Sequence, residues 1–501
     1  GTLTLLGNNS YTGGTTISAG TLQIGDGTTD GTIVGDVVDN GSFVINNQND
    51  TALSGAISGS GSLTQAGGGT LTLSGKNSYT GDTNLNNGVI SVAQEDNLGT
   101  GGALNFNGGM LRVTGTDFSG TNRAISWGAS GGGFDIADAN NSFVLSNVFT
   151  GFGGLTKDGA GTLALSGDSS GFTGNTTVNA GSLRLDGGSL GIGTVHVASG
   201  SSLGGHGSIA GAVDIAAGGT LFGTSGQQLA FGNGLTLGAN SNVDVTISGG
   251  SAVPALFSVN GNLALDGKLN IDAGSAVDIG VYRIFDYTGS LTGSLTIGTV
   301  SDGDVANYSL QNSINHQVNL VSTGGRDFLF WDGDAGPKND GHVNGGTGTW
   351  NAGNDNWTGS DGTLNASWHN DTFTVFEGTP GNVTIDGGFK PQVNGMQFMT
   401  TGYVLDGGAF TLGGTGAPLI IVGDGSVASV NTTAEIGAGI EGNQGLTKSG
   451  AGNLILTGAS NYTGDTTIQQ GTLTLRDGGS LNNQSNIVLG RSAYGDGVLV
   501  I

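Results

Sequence analysis

A single sequence pattern occurs four times in this chain, and its repetition constrains the fold more than any other feature. The first glycine of a copy lies 19 residues before the glycine of the next Gly-x-Leu or Gly-x-Ile strand in three copies, and 20 residues before it in the fourth. Self-similarity at a fixed period is typical of units that stack along one axis. We therefore predict coils of 19–20 residues, with Gly1–Leu5 directly on Gly20–Ile24. The copies are Gly1–Ile24, Gly69–Val92, Gly161–Leu185 and Gly452–Leu475.

The composition predicts that these coils are built from β-strands. Glycine supplies 103 of 501 residues, roughly three times its usual share of ~7%. Short runs alternate Leu, Ile or Val with polar residues between Gly, Asn and Asp turns, which is the pattern of half-buried strands. The chain has 5 Pro, and proline would remove a ladder donor from an interior strand. Glycine also occurs in almost every stretch of ten residues, and each one would cost a helix interior about 1 kcal/mol.

Charge and cysteine content exclude several classes of function. The formal net charge is −25, and the 13 Lys and Arg are scattered without a basic stripe. Such a surface is a poor partner for nucleic acid or anionic lipid. Cysteine is absent, which excludes disulfides, zinc ribbons and thiol chemistry. We find no apolar run long enough for a transmembrane helix and no signal peptide at the start. Both ends lie within the strand pattern, so we expect the sequence to be a fragment of a longer protein.

The repeats divide the chain into four regions, all expected to belong to one stacked array. Coils with three repeat copies are predicted for residues 1–190, and continuing coils for residues 191–325. Within the latter, the bulky run Val281–Gly293 is expected to cap or widen the coil. Four of the five Trp fall in residues 326–376, predicted to form an irregular protrusion or a coil-widening block. Residues 377–501 return to coils and carry the fourth copy.

Each copy contains an aromatic-Thr-Gly triplet at a constant position, 9 residues before the next Gly-x-Leu or Gly-x-Ile strand. A constant position in every coil indicates a fixed corner. We expect its glycine to adopt a positive φ, which glycine tolerates best, and its ring to cover the edge of the coil. The triplets begin at Tyr11, Tyr79, Phe172 and Tyr462.

The extended pattern resembles the passenger-associated transport repeat of bacterial autotransporters. Gly154–Leu185 and Gly445–Leu475 match it best, both opening with Gly-Leu-Thr-Lys. Gly61–Val92 has Ser-Leu-Thr-Gln at that point, and Gly1–Ile24 is truncated. The resemblance covers about a quarter of the chain and implies an all-β, right-handed parallel β-helix (a solenoid) with a Trp-rich irregular segment. It also implies export through the outer membrane and display on the bacterial surface. The partner implied within the same polypeptide is a C-terminal outer-membrane barrel, whose alternating strands we do not find here.

The Trp-rich segment is the candidate ligand-binding site. Exposed tryptophan beside Asp and Asn is a common way to bind sugar, because the ring covers the CH face while carboxylates bind hydroxyls. The alternative is that the rings only pack an irregular block onto the solenoid. The candidate residues are Trp331, Trp350, Trp357, Trp368, Asp332 and Asp334.

Other patterns that resemble chemical sites have simpler interpretations. Gly167–Gly171 reads Gly-Asp-Ser-Ser-Gly, but the aligned copies have Gly-Lys-Asn-Ser and Gly-Ala-Ser-Asn there, so we interpret it as a turn. Asp332–Asp334 and the acidic residues after it lack the glycine and glutamate positions of an EF-hand. The isolated histidines follow no metal or nucleophile spacing. With 4 Glu and no basic residue beside clustered Asp, neither a glycosidase nor a polysaccharide lyase is favoured. We predict no catalytic residue, no metal site and no cofactor.

These observations favour a non-enzymatic adhesin that binds host matrix or cell-surface proteins or glycans through its sides and loops. Area and multivalency, rather than one pocket, would then supply the affinity. Self-association into aggregates or biofilm, and a stalk that presents an effector elsewhere, remain open alternatives. The fold does not decide among them, because function depends on sites placed on the fold.

Overall fold

The computed structural model describes residues 1–247, 255–273, 277–414, 418–425, 427–482, 486–492 and 495–501. It is all-β, with 50% strand and 2% helix, and its parallel coils stack into a solenoid of about 22 turns. The prediction of an all-β parallel β-helix is therefore confirmed. No helix in the described residues is long and apolar enough to cross a membrane.

Alternation of apolar and polar residues determines which side of each strand is buried. In Thr70–Leu73, both leucines are buried and both threonines are more exposed. Successive side chains of a strand point to opposite faces, so Leu, Ile and Val fill the interior while Thr, Asn and Ser remain outside. Interior side chains then stack on the equivalent residues of the neighbouring coil.

The predicted register is confirmed at the first repeat, where Thr2–Leu5 pairs in parallel with Thr21–Ile24, residue for residue. The same 19-residue offset joins Thr70 to Val89. In the third copy Thr162 pairs with Ser182, an offset of 20 residues. The repeat spacing thus measures the length of one coil.

Parallel strands form long ladders in the first two thirds of the chain. One ladder runs through Thr2–Leu5, Thr21–Ile24, Ser42–Ile45, Ser62–Gln65, Thr83–Leu85, Leu104–Phe106 and Ile125–Trp127. A second runs through Thr51–Leu53, Thr70–Leu73, Val89–Val92, Met110–Val113, Gly132–Ile136, Leu155–Asp158, Thr176–Val178, Val195–Val197, Val213–Ile215, Leu235–Leu237, Leu263–Asp272 and Leu291–Val300. Short ladders pair Gly7–Asn8 with Gly31–Thr32, and join Thr15–Ile17, Val37–Asp39 and Ile57–Ser58.

Longer strands turn corners of the coil and take part in two ladders. A third ladder contains Gly120–Thr121, Ser142–Leu145, Thr162–Leu165, Ser182–Leu190, Ser202–Ile209, Thr220–Thr224 and Ser241–Thr246. A fourth contains Asp168–Ser169, Leu229–Phe231, Phe257–Val259, Gly280–Tyr287, Gln317–Ser322 and Tyr308–Gln311. In the described ranges the 3₁₀ helices are Glu95–Leu98, Val305–Asn307 and Val427–Asn431.

The last third of the chain builds a second set of ladders. One contains Asn365–Ala366, Trp357–Thr358, Asp327–Trp331, Thr372–Phe376, Gln392–Phe398, Leu419–Val422, Leu446–Ser449, Thr466–Ile468 and Ile487–Leu489, with Ala409–Leu412 and Gly439–Glu441 beside it. The other contains Gly348–Trp350, Asn382–Ile385, Tyr403–Gly407, Thr433–Ile436, Asn453–Leu456, Gly471–Leu475, Gly495–Val500 and Arg491–Ser492.

Antiparallel strands interrupt the parallel stack between the two parts. Gly280–Tyr287 and Tyr308–Gln311 both pair in antiparallel fashion with Gln317–Ser322. We call these three strands the junction sheet. The interior column of the first part extends from Ile17 to Leu320, and that of the second part from Leu329 to Leu473.

The junction sheet packs against the outer face of the second part. Strand Thr372–Phe376 is buried on both sides: Phe376 belongs to the interior column, whereas Phe373 contacts a separate apolar cluster that includes Val281 of the junction sheet. Gln397 joins the two parts by accepting a hydrogen bond from the Val281 amide at 2.8 Å and donating one to its carbonyl at 3.2 Å. A side-chain amide thus replaces one step of a strand ladder.

The aromatic-Thr-Gly corner differs from its sequence prediction. The glycines of the triplets are absent from the residues with positive φ, so that prediction is wrong. Close backbone approach explains the glycine instead: a Cβ on Gly81 would lie 2.2 Å from the carbonyl oxygen of Gly61, and one on Gly174 equally close to that of Gly153. The ring lies inside the coil rather than over its edge at Tyr79, Phe172 and Tyr462.

Candidate functional site

The four candidate tryptophans lie inside the protein. Trp331, Trp350 and Trp357 are at most 1% exposed, and Trp368 is 8% exposed. They sit on or beside the short strands that open the second part of the solenoid. All four belong to the interior column of that part.

The tryptophan rings pack against one another. Ring centroids of Trp350 lie 4.9 Å from Trp357 and 4.8 Å from Trp368, and Trp331 lies 5.1 Å from Trp357. Edge-to-face pairs at such distances add roughly 0.5–1.5 kcal/mol each beyond the burial of area. Phe376 extends the cluster into the following coil, with its centroid 4.8 Å from Phe398. The rings therefore cover the open end of the second interior column.

The indole nitrogens of two tryptophans donate hydrogen bonds to the loops around the rings. Trp331 Nε1 donates to the Gly346 carbonyl at 2.8 Å, and Trp368 Nε1 donates to Asn370 Oδ1 at 3.0 Å. Trp350 Nε1 is buried and has no hydrogen-bond partner among the described residues. The hydrogen bonds of Trp331 and Trp368 restrain the irregular loops that replace a regular coil in this segment.

The two candidate aspartates differ in exposure. Asp332 is buried, and its carboxylate accepts hydrogen bonds from the Asn344 amide at 2.9 Å and from Asn365 Nδ2 at 2.7 Å. Asp334 is exposed and accepts one from the Thr347 amide at 2.7 Å. Both carboxylates therefore organise the loops of the Trp-rich segment.

This geometry agrees with the packing interpretation of the segment. Sugar binding requires an open ring face, and in this structure the faces of all four tryptophans are covered by one another and by the interior column. Ligand binding at these residues stays a prediction, and it would require the loops over the rings to open. Asp334 is the one candidate side chain that faces solvent.

The structure also shows the environment of the Gly-Asp-Ser-Ser-Gly turn and of the possible metal ligands. Ser169, in the Gly-Asp-Ser-Ser-Gly turn, is buried, and its hydroxyl accepts a hydrogen bond from the Phe149 amide at 3.3 Å. Asp168 accepts hydrogen bonds from Ser189 and Ser170, which keep its pKa below the ordinary value. Across the described part of the chain, no group of three or more His, Asp and Glu could hold a metal ion.

Buried lysines are the polar groups whose role sequence reasoning missed. Lys157 and Lys448 occupy the same position in two repeat copies, and both are fully buried. The Lys448 ammonium donates to the carbonyls of Ser449, Gly450 and Gln470 at 2.9, 2.6 and 2.9 Å. Lys157 reproduces this arrangement with Asp158, Gly159 and Ala180 at 2.8, 2.8 and 3.0 Å. We call this arrangement the lysine clamp.

The lysine clamp ties a turn to the next coil at an electrostatic cost. Burial lowers the pKa of Lys448 to about 7. Burial also lowers the pKa of Lys157, to about 8, against the opposing charges of Asp135 and Asp158. In the second copy Gln65 stands at this position and donates to two carbonyls of its own turn, at 2.9 and 2.8 Å. The Gly-Leu-Thr-Lys motif was the only sequence signal for the clamp.

Outward side chains form rows along the axis, because each strand lies in register with the next. Thr64, Asn84 and Asn105 occupy successive coils of the first ladder. Asn84 Nδ2 donates to Thr64 Oγ1 at 3.0 Å, and Asn105 Nδ2 donates to Asn84 Oδ1 at 2.8 Å. We call these three residues the amide row. A row of this kind offers the same polar group repeatedly at the spacing of the strands, about 4.8 Å.

Comparison with known proteins identifies related sequences. The passenger-associated-transport-repeat family model matches residues 1–24, 63–92, 155–185 and 446–475. The chain is 35% identical, over 408 residues, to the Adhesin BmaC autotransporter of Brucella suis biovar 1 (strain 1330). The alignment covers 72% of this chain and 11% of that relative's length. No solved structure matches the chain significantly.

Proposed function

We propose that this chain, an autotransporter passenger with passenger-associated transport repeats, acts as an adhesin on the bacterial cell surface. The observation that carries the proposal is its 35% identity to an autotransporter adhesin over 72% of the chain. The relative is about nine times longer than the aligned part, so the role of the whole protein is part of the proposal. We also propose export through the outer membrane, which the same relationship supports.

The outer faces of the solenoid suit adhesion better than catalysis. Parallel stacking repeats polar groups such as those of the amide row, so a long ligand can contact several coils at once. Weak contacts that act together raise avidity without a deep pocket. We therefore propose binding to host matrix or cell-surface molecules through the sides of the solenoid, with no enzymatic activity.

A binding experiment with one test variant and one control variant tests this proposal. The purified chain should bind a panel of matrix proteins and glycans saturably. Replacing Thr64, Asn84 and Asn105 together by Lys should weaken binding at least tenfold if the amide row is used. The control replaces Thr156 and Thr177, outward residues of the second ladder, by Lys. Saturable binding to no member of the panel would contradict the proposal.

Self-association is the second candidate, and the charge of the chain makes it testable. Rows of Asn and Thr can form hydrogen bonds between copies, but a net charge of −25 repels them. Salt screens such repulsion, with a Debye length of about 8 Å at physiological ionic strength. Self-association should therefore strengthen with salt, whereas clumping of expressing bacteria at low salt would favour a different contact.

A further inference from the structure

A polar cavity opens beside the junction sheet, where the two parts of the solenoid meet. Its volume is about 420 Å³. Arg283 lines it from the junction sheet, and Glu377 and Asp424 line it from the second part. Ile314 and Met399 add apolar surface. The cavity lies apart from the Trp-rich candidate residues.

Glu377 has one carboxylate oxygen that no neighbour satisfies. The residue is 2% exposed, and its Oε1 accepts a hydrogen bond from Gln311 Nε2. Gln311 is itself held by Asn319 Nδ2 at 2.9 Å. Glu377 Oε2 is buried and has no hydrogen-bond partner among the described residues. A buried, unpaired carboxylate oxygen carries a large desolvation cost, so it needs either a proton or a cation.

The fixed charges around Glu377 leave the cavity short of positive charge. Arg283 is paired twice, with Asp424 at 2.8 Å and with Asp286 at 3.3 Å. One guanidinium therefore faces two aspartates before Glu377 is counted. Burial raises the pKa of Glu377 to about 8, against the Gln311 hydrogen bond and the charge of Arg283. The Tyr403 hydroxyl donates to the Glu377 backbone carbonyl at 2.6 Å and leaves Oε2 unpaired.

We propose that this cavity binds a primary alkylammonium group, with Glu377 Oε2 as its principal acceptor. An ammonium ion is compact and carries three donors. A guanidinium prefers to engage both oxygens of a carboxylate, and Gln311 already occupies Oε1. Calcium takes six to eight oxygen ligands, more than the carboxylates of Glu377 and Asp424 supply. Ile314 and Met399 would contact the methylene chain of the amine, as apolar surface does for lysine stems.

A primary alkylammonium group has two sources, a free amine and the lysine side chain of a partner protein. Calorimetric titration of the full chain with cadaverine tests the first, and titration with Nα-acetyl-lysine amide tests the second. 1,5-Pentanediol, similar in length but uncharged, is the ligand control. Binding of either amine, without binding of the diol, is the expected result. The proposal does not depend on adhesion, since it concerns the purified chain alone.

A variant pair locates the binding. Glu377→Gln keeps the shape of the side chain and removes its charge, and should weaken amine binding at least tenfold. Glu441→Gln makes the same change at an exposed residue paired with Lys390, and should leave binding unaltered. Unchanged binding by Glu377→Gln, equal binding of the diol, or no binding of either amine at millimolar concentration would overturn the proposal.

The wild-type chain provides a test that does not depend on the folding of the variant. Because the amine binds ionised Glu377, binding below about pH 8 must release a proton from this carboxyl. Affinity should rise about tenfold per pH unit up to that point and then level off. The measured heat should also depend on the ionisation enthalpy of the buffer. A pH-independent affinity between pH 6 and pH 8 would contradict the proposal.

Discussion

The lysine clamp makes the stability of the second part of the solenoid depend on pH. Lys448 is fully buried and its ammonium contacts three carbonyls, yet burial lowers its pKa from 10.5 to about 7. Between these two values the unfolded chain holds a proton that the folded chain has released. Protons therefore favour unfolding in this window, and stability rises with pH from about 7 to about 10.5.

The size of the effect follows from the shift itself. Each pH unit inside the window is worth about 1.4 kcal/mol. Between pH 7 and pH 9, the unfolding free energy of the wild type should therefore rise by roughly 2–3 kcal/mol relative to that of a variant without the titrating group. Below pH 7 the difference should be constant, because both the folded and the unfolded chain are then protonated.

Lys448→Gln is the appropriate perturbation, because the chain itself uses Gln65 at the equivalent position. Glutamine can hold the carbonyls of its own turn, as Gln65 does, but it does not titrate. The contact of Lys448 with Gln470 in the next coil should be lost. Lys390→Gln, which removes an exposed ion pair, is the control and should change stability by about 1 kcal/mol or less at every pH.

Denaturant unfolding followed by tryptophan fluorescence measures the effect. Four of the five tryptophans lie in the interior column that also contains Leu446 and Ile468. Leu446 is on the same strand as Lys448, and Ile468 is the register partner of Lys448 on the next strand. The quantity of interest is the difference in unfolding free energy between wild type and Lys448→Gln from pH 6 to pH 9.5. A difference that stays flat above pH 7 would refute the reasoning, and would mean that the three carbonyls keep the ammonium charged. Lys157→Gln should behave alike, with the rise beginning about one pH unit higher.

Three further predictions test other parts of the structure. Gly81→Ala should destabilise the solenoid by roughly 1–3 kcal/mol in thermal unfolding, because the added Cβ would lie 2.2 Å from the Gly61 carbonyl oxygen. The control is Gly13→Ala in the first copy, which should leave stability unchanged because a Cβ there meets no atom within 4 Å. Trp350→Ala should lower the unfolding free energy by about 3–5 kcal/mol and should reduce the intensity of the blue-shifted fluorescence. A glycan-array signal that disappears while circular dichroism is unchanged would instead support ligand binding at this ring. Glu377→Gln should make unfolding less dependent on pH between about 4.5 and 8, because wild-type stability falls as pH rises through that window.

Some features of this protein could be predicted because they depend on residues that are close in sequence. The offset of 19 residues is written directly in the repeats, and it determines the register of Thr2–Leu5 on Thr21–Ile24. Alternation of Leu with Thr determines which face of a strand is buried. In a parallel stack each coil contacts its neighbours, so one offset and one alternation describe most of the array.

Only the tertiary structure determined the features that depend on which residues of another coil, or of a distant part of the chain, lie opposite a given residue. A Trp-rich sequence has the same composition whether its rings face a sugar or the open end of an apolar column, and only the fold shows that Trp331 and Trp350 are covered. Gly81 is explained by a neighbouring coil rather than by its own φ. Gln397 meets Val281 across 116 positions of the chain, and Gln311 meets Glu377 across 66. No local pattern encodes such contacts, since each partner is set by how the two parts of the solenoid come together.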